Sequence, residues 1–309
     1  MPSVLHTVAD AVLKQIQRSP LYYKRYNNTL AYRINKTYTA YGQDCERQYA
    51  QTHTSLPPSP LAEDPALHIP AVFPSEKAEA LSAKIGKLID RNDSCVFRPP
   101  REHGGGIAQI KQPLRILGTD ILDTLYNSEL DQALRRVLRG YYRIQGTAIW
   151  RTFPTEHADR SSWLWHSDTY PPYTCKIFVH LTPVDPTSGA TEFMNRSDTM
   201  AYRKAGYFGQ YGQERRGDLD VFSKEHGLPY RTVQVSAQPG DATLFDQNYL
   251  HRAVPPHKNY RDIVQFLIVA NPIPWHEQLE RETERVLSAE CDYPKDPRPG
   301  ATTTSVKMH

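Results

Sequence analysis

Hydrophobic positions along the 309-residue chain follow two rhythms, and the change between them falls near Gly146. Upstream, apolar residues recur every three or four positions, the spacing that gathers them on one face of a helix. Val4, Val8, Val12, Leu13 and Ile16 predict a short amphipathic helix at the N-terminus. Ala78, Leu81, Ile85 and Leu88 predict another, with Ser75 as its N-cap. The stretch from Leu117 to Tyr142 holds one or two more, closed by Gly140. Between these lie a proline-rich segment, Leu56 to Pro65, expected as an extended connector, and a run with three consecutive glycines, Gly104 to Gly106, that suits either a plain loop or a flap beside a site.

From Gly146 to Pro274 the rhythm shortens. GTAIWRTFP, WLWHSD, TCKIFVHLTPVD, GATEFMNRSD, RTVQVSAQPGDATLFDQNYLHRAVPP and YRDIVQFLIVANP are short runs rich in β-branched and aromatic residues, cut by Pro, Gly and Asp. Several short strands at this spacing argue for an antiparallel barrel or sandwich. Residues 199–230 lose the alternation and predict an insertion or lid hung between two strands. HEQLERETERVLSAE predicts a closing helix, after which the polar tail has no apolar surface to bury. The organisation expected is one domain over residues 1–309: a mostly helical region 1–145 packed on a β core 146–275, then a helix and tail over 276–309.

Composition narrows the class without naming a partner. Hydrophobic residues at 39% and charged residues at 23% are those of a soluble globular protein, and a net charge of +3 makes no demand for nucleic acid. The basic run from Arg135 to Arg139 reads as the wet face of a helix. Nineteen tyrosines are many, and the six between Leu21 and Gly42 read as a layer packed on the core with its hydroxyls in water. No apolar run approaches the roughly 18 residues of a membrane span, and the N-terminus lacks the apolar core of an export signal, so a cytoplasmic setting is expected. Cys45, Cys95, Cys175 and Cys291 form no CxxC pair, which argues for reduced thiols and against a thiolate zinc site.

The chemistry lies in the β-rich half. In WLWHSD, strand alternation puts His166 and Asp168 on one face with Ser167 on the other. A second histidine, His251, follows the tight Pro239-Gly240-Asp241 turn and a strand over Ala242 to Phe245, just before a Pro-Pro stop. Two imidazoles and one carboxylate on one side of an iron leave three coordination positions open. A 2-oxo acid takes two of them and dioxygen the third. The far carboxylate of such an acid needs a planar bidentate cation. Arg261 begins a strand ten residues after His251 and shares a face with Ile263, Gln265 and Leu267, whereas Arg252 is adjacent to His251 and should point away. Trp163, Trp165 and Arg151 are candidates for the walls of a substrate pocket. His157, His180 and His257 read as surface or packed residues.

The ordered set HSD at 166–168, His251 and Arg261 resembles the HxD…H…R motif of the Fe(II)/2-oxoglutarate-dependent oxygenases. KIFVHLTPVDPTSGATEF and the PGD turn before LHRA are similar to the phytanoyl-CoA dioxygenase-like branch of that superfamily. The resemblance covers roughly Gly146 to Pro274. It implies a mainly β fold with flanking helices around a double-stranded β-helix, of the jelly-roll or cupin-like kind. It further implies Fe(2+) on His166, Asp168 and His251, 2-oxoglutarate on Arg261, O2 as oxidant, and hydroxylation of a small-molecule substrate. Desaturation or cyclisation is the alternative reaction; a catalytically silent metal- or ligand-binding barrel is the alternative of another class. Relatives often carry Ser or Thr two residues after the distal histidine, where this chain has Ala253, and related halogenases replace the carboxylate that Asp168 retains.

Overall fold

The computed structural model describes residues 29–99, 106–159, 161–168, 172–209 and 215–288. The expected N-terminal helix, most of the triple-glycine run, Cys291 and the polar tail lie outside them. Among the described residues there are ten strands: β1 (Ala66–Ile69), β2 (Val96–Phe97), β3 (Ile107–Ile110), β4 (Tyr142–Thr152), β5 (Thr174–His180), β6 (Glu192–Phe193), β7 (Val233–Gln234), β8 (Ala242–Phe245), β9 (His251–Arg252) and β10 (Arg261–Ala270). Seven form one antiparallel sheet in the order β1-β8-β5-β10-β4-β3-β2, and three form a smaller sheet, β7-β6-β9. The two sheets face one another as the halves of a double-stranded β-helix. β10 is buried along its whole length, as a central strand covered on both faces must be.

Among the described residues, eight α-helices flank the sheets: α1 (Thr29–Ala50), α2 (Ser75–Asp90), α3 (Pro113–Leu117), α4 (Ser128–Leu138), α5 (Arg196–Ala205), α6 (Asp220–His226), α7 (Trp275–Arg281) and α8 (Thr283–Ser288). The main apolar core lies between α2, α4 and the outer face of the large sheet, with Ile85, Leu130, Leu134, Ile177, Leu244, Val264, Phe266 and Ile268 at its centre. α2 buries Ala78, Ser82, Ile85 and Ile89, so Ser82 takes the place expected for Leu81. The reason is polar: Ser82 Oγ donates to Asp262 Oδ2 at 2.6 Å beneath the helix.

Several expectations are corrected. The N-terminal region, expected as mostly helical, also supplies β1, β2 and β3, which extend the large sheet at both edges. Each is too short for its alternation to stand out from the loops around it. Residue Pro74, not Ser75, occupies the N-cap of α2. At the end of α4 the left-handed position belongs to Arg139 (φ 62°), one residue before Gly140. The basic run is not a plain solvated face: Arg136 donates to Pro58 O, and Arg139 to Leu56 O and Pro57 O, which pins the proline-rich connector. Tyr38 and Tyr49 are buried in α1, and the hydroxyls of Tyr38 and Tyr41 are shut away from water rather than wetted by it. The closing helix is split at Glu282 into α7 and α8. One expectation holds in detail: Gly240 in the PGD turn has φ 94°, and a Cβ there would lie 2.1 Å from Phe73 O, so only glycine fits.

Candidate metal centre

The large sheet has a defined inner face. Alternation puts Arg261, Ile263, Gln265 and Leu267 of β10 on one side, and the β10–β5 register sets Ile263 against His180, Gln265 against Phe178 and Leu267 against Lys176. The β5–β8 register adds Thr243 and Phe245 to the same side. Phe245 meets Phe193 of the small sheet at 4.9 Å and the His251 ring at 5.5 Å, so this side looks onto the histidines.

His166, Asp168 and His251 converge there, each offering a donor atom within 4.8 Å of the others. His166 and His251 form an antiparallel bridge, N–H to carbonyl in both directions at 2.9 Å, which stations their rings 4.2 Å apart. Asp168 is held by its own N–H on Gln247 O at 3.0 Å. His166 Nδ1 donates to Leu164 O at 2.8 Å and His251 Nδ1 to Tyr249 O at 2.9 Å. A carbonyl only accepts, so both Nδ1 atoms carry the proton and both Nε2 atoms present lone pairs to the interior. Asp168 Oδ1 lies 3.5 Å from His166 Nε2, and Oδ2 lies 3.9 Å from His251 Nε2.

Electrostatics keep all three groups in the state a metal needs. Burial, reinforced for His166 by the facing His251, holds both imidazoles below the ordinary histidine range and therefore neutral. Burial works against the Asp168 carboxylate, but Lys176 and the two histidines outweigh it and hold it below the usual carboxylate range. Lys176 Nζ donates to Asp168 Oδ2 at 2.5 Å. Sequence reasoning missed this lysine, because only the register of β5 against β10 says that its parity faces inward.

Arg261 is 5% exposed on the inner face. Its Nη1 donates to Gly189 O and lies 3.4 Å from Thr191 Oγ1, while its Nε has no partner. No carboxylate faces it among the described residues, and burial alone pulls its pKa down to about 10. Arg252 points away, as expected, onto Glu192 and the Trp165 ring. Ala253 supplies no hydroxyl; Thr191 is the one beside Arg261.

The three pocket candidates fare differently. Trp165 is fully buried, turned from the triad, with Nε1 on Tyr230 Oη at 3.3 Å. Trp163 is buried in a 3-10 turn. Arg151 is a correction. It pairs in register with Asp262, one residue on from Arg261, and so lies on the outer face. There its Nε and Nη2 grip Asp262 at 2.7 and 2.6 Å, with Nη2 also on Ser82 O at 2.9 Å. His180 is packed as expected, with Nε2 2.8 Å from Thr243 Oγ1, and His157 and His257 are exposed.

The family model for phytanoyl-CoA dioxygenase (PhyH) matches residues 62–257, more than half of the chain. The chain belongs to the phytanoyl-CoA dioxygenase family. It is an Fe(II)- and 2-oxoglutarate-dependent oxygenase of that family, with dioxygen as the third participant. Among solved structures it is similar to SnoK, a non-haem α-ketoglutarate-dependent carbocyclase from nogalamycin biosynthesis, at 16% identity and a TM-score of 0.49, over 77% of this chain and 90% of that one. The epimerase SnoN, in complex with Fe3+, α-ketoglutarate and nogalamycin RO, is similar at 14% identity and a TM-score of 0.48, over 75% and 84%. HygX from Streptomyces hygroscopicus, with nickel and 2-oxoglutarate bound, is similar at 14% identity and a TM-score of 0.46, over 69% and 85%. Comparison with curated protein sequences gives no match. No helix among the described residues is long and apolar enough to cross a membrane.

Proposed function

We propose that His166, Asp168 and His251 hold Fe(II), that Arg261 binds the distal carboxylate of 2-oxoglutarate, and that the enzyme hydroxylates an unactivated C–H bond of a small organic molecule, releasing succinate and carbon dioxide. One observation carries the reading: three inward-turned donors in the protonation states a metal requires share a barrel interior with a buried guanidinium that no carboxylate among the described residues faces. Two neutral imidazoles and a carboxylate fit iron. A fixed planar cation with an unused N–H fits a carboxylate.

Iron with 2-oxoglutarate and dioxygen supplies, when bound, an oxidant strong enough to take hydrogen from carbon. The chain's residues do the rest. Leu164 O and Tyr249 O fix both histidine tautomers. Lys176 neutralises the Asp168 oxygen it touches, so that Oδ1, beside His166 Nε2, is the oxygen that would hold a metal. Phe193 and Phe245 close one side of the site with apolar surface, which limits water near the oxidant. Arg261, with Thr191 beside it, orients the oxo acid.

Asp168 favours oxygenation, because a carboxylate fills the coordination position that a halide would need. The experiment is a substrate screen read by succinate release, then mass spectrometry of product formed under labelled dioxygen in excess chloride. A product heavier by one labelled oxygen is expected. A halogenated product would overturn the assignment, one lighter by two hydrogens would move it to desaturation or cyclisation, and no oxo-acid consumption with any substrate would favour a silent barrel.

A further inference from the structure

Trp165 and Leu250 each precede a triad histidine, and alternation turns both away from the barrel interior. Both enter a second, separate apolar cluster with Met194, Tyr202, Tyr207, Leu219 and Phe222. The last four of these belong to the segment between β6 and β7, which sequence reasoning takes for an insertion or lid.

The backbone follows the side chains. The short run 165–167 has two edges, and His166 gives one of them to His251. The other edge is taken up by the insertion. Trp165 N donates to Arg216 O at 2.8 Å, and Ser167 N donates to Gly209 O at 3.3 Å. The Tyr207 hydroxyl donates to Trp165 O at 2.8 Å and accepts from Arg216 N at 3.0 Å. On the distal side, Leu250 N donates to Thr199 Oγ1 at 3.0 Å. Arg203 of α5 then joins the two halves: its Nη2 donates to Ser167 Oγ at 2.9 Å and to Asn248 O at 2.6 Å. Ser167 is the residue between His166 and Asp168, and Asn248 begins the turn into His251. Gly209 packs so closely that a Cβ there would lie 2.8 Å from His166 Cα.

A lid has to leave its seat, and these hydrogen bonds tie the segment to the backbone beside both triad histidines. Lifting it would orphan Trp165 N, Trp165 O, Ser167 N and Leu250 N together and expose the Trp165 indole. We propose that residues 199–209 and 215–230 of the insertion form the fixed back wall of the metal site, with Arg203 and Tyr207 as positioning residues that set the spacing of His166, Asp168 and His251. The inference rests on the triad being a metal site, and its test separates the two.

Metal-free protein is titrated with Co(II) under argon and followed by its visible d–d absorption. Arg203→Met and Tyr207→Phe are expected to weaken Co(II) binding at least tenfold and to alter the band shape, since the donors lose their fixed spacing. Arg203→Lys, which keeps one cationic donor, is expected to stay within about threefold of the parent, and Val221→Ser, at an exposed position of the same insertion, to match it. Tyr207→Phe removes a single oxygen, which guards against a variant that does not fold. Hydrogen exchange needs no variant: Co(II) should slow the amides of Trp165, Ser167 and Leu250 together with those of α5. Co(II) binding by the parent that Arg203→Met and Tyr207→Phe both reproduce would overturn the back wall and leave the triad standing. Co(II) binding that His251→Ala retains in full would overturn the triad and the back wall with it.

Discussion

Replacing Arg261 with leucine separates two effects of one guanidinium. In the ligand-free protein it is a buried cation facing dipoles rather than a counter-charge: Gly189 O and Thr191 Oγ1, with Nε unpaired. Burying an ion costs several kcal/mol after relaxation, while hydrogen bonds to charged groups return about 1.5–3 kcal/mol each. Two such contacts offset most of that cost, so Arg261→Leu is expected to leave the ligand-free melting temperature unchanged or higher. With 2-oxoglutarate the balance reverses. Two charge-assisted bonds to its distal carboxylate are lost, about 3–6 kcal/mol gross. Even the lower figure is about a hundredfold in Kd at 1.4 kcal/mol per tenfold. Ligand at 100 times the parent Kd stabilises the parent by about 2.7 kcal/mol, and a protein binding a hundredfold more weakly by only about 0.4 kcal/mol. Thermal unfolding with Ni(II) in place of iron, with and without 2-oxoglutarate, reads both effects. A variant that keeps the parent's ligand-induced shift would refute the assignment, and loss of the shift in Arg252→Leu instead would identify the other arginine.

Two further outcomes follow from buried ionisable groups outside the triad. Asp262→Ala strands the Arg151 guanidinium beneath α2 and is expected to cost about 3–5 kcal/mol, read as a lower urea midpoint; an unchanged midpoint would show that the pair contributes nothing. His180, 4% exposed, has its pKa pushed down to about 3 by burial and by the nearby Arg261. The unfolded chain therefore takes a proton near pH 6.5 that the folded chain refuses, so stability present above that pH falls on acidification from about 6.5 toward 3, by up to about 1.4 kcal/mol per pH unit. His180→Gln should flatten that slope in pH-dependent denaturation, and an equally steep slope in the variant would contradict it.

The site was more legible than its surroundings because period-two alternation is a local rule. It aligned His166 with Asp168 and put Arg261 on the inner face without any knowledge of partners. The same rule applied to β4 and β5 would have placed Arg151 outside and Lys176 inside; what was missing was the register, since only the pairing of Arg151 with Asp262 and of Lys176 with Leu267 says which parity faces the barrel. β1 to β3 escaped notice because strands of two to four residues carry too few positions to show a period. The insertion was the least legible. Arg203, Tyr207 and Gly209 act on residues about 40 positions away, and nothing in their own neighbourhood marks those contacts.

The central claim is that this one interior binds iron and the oxo acid together. Fe(II) chelated by a 2-oxo acid absorbs visible light through metal-to-ligand charge transfer, so anaerobic titration of the Fe(II)-loaded protein with 2-oxoglutarate measures the claim directly. The account predicts a saturable band that is absent from His166→Ala and His251→Ala and shifted to at least a hundredfold higher 2-oxoglutarate in Arg261→Leu. No band in the parent protein, or an undiminished one in both histidine variants, would contradict it.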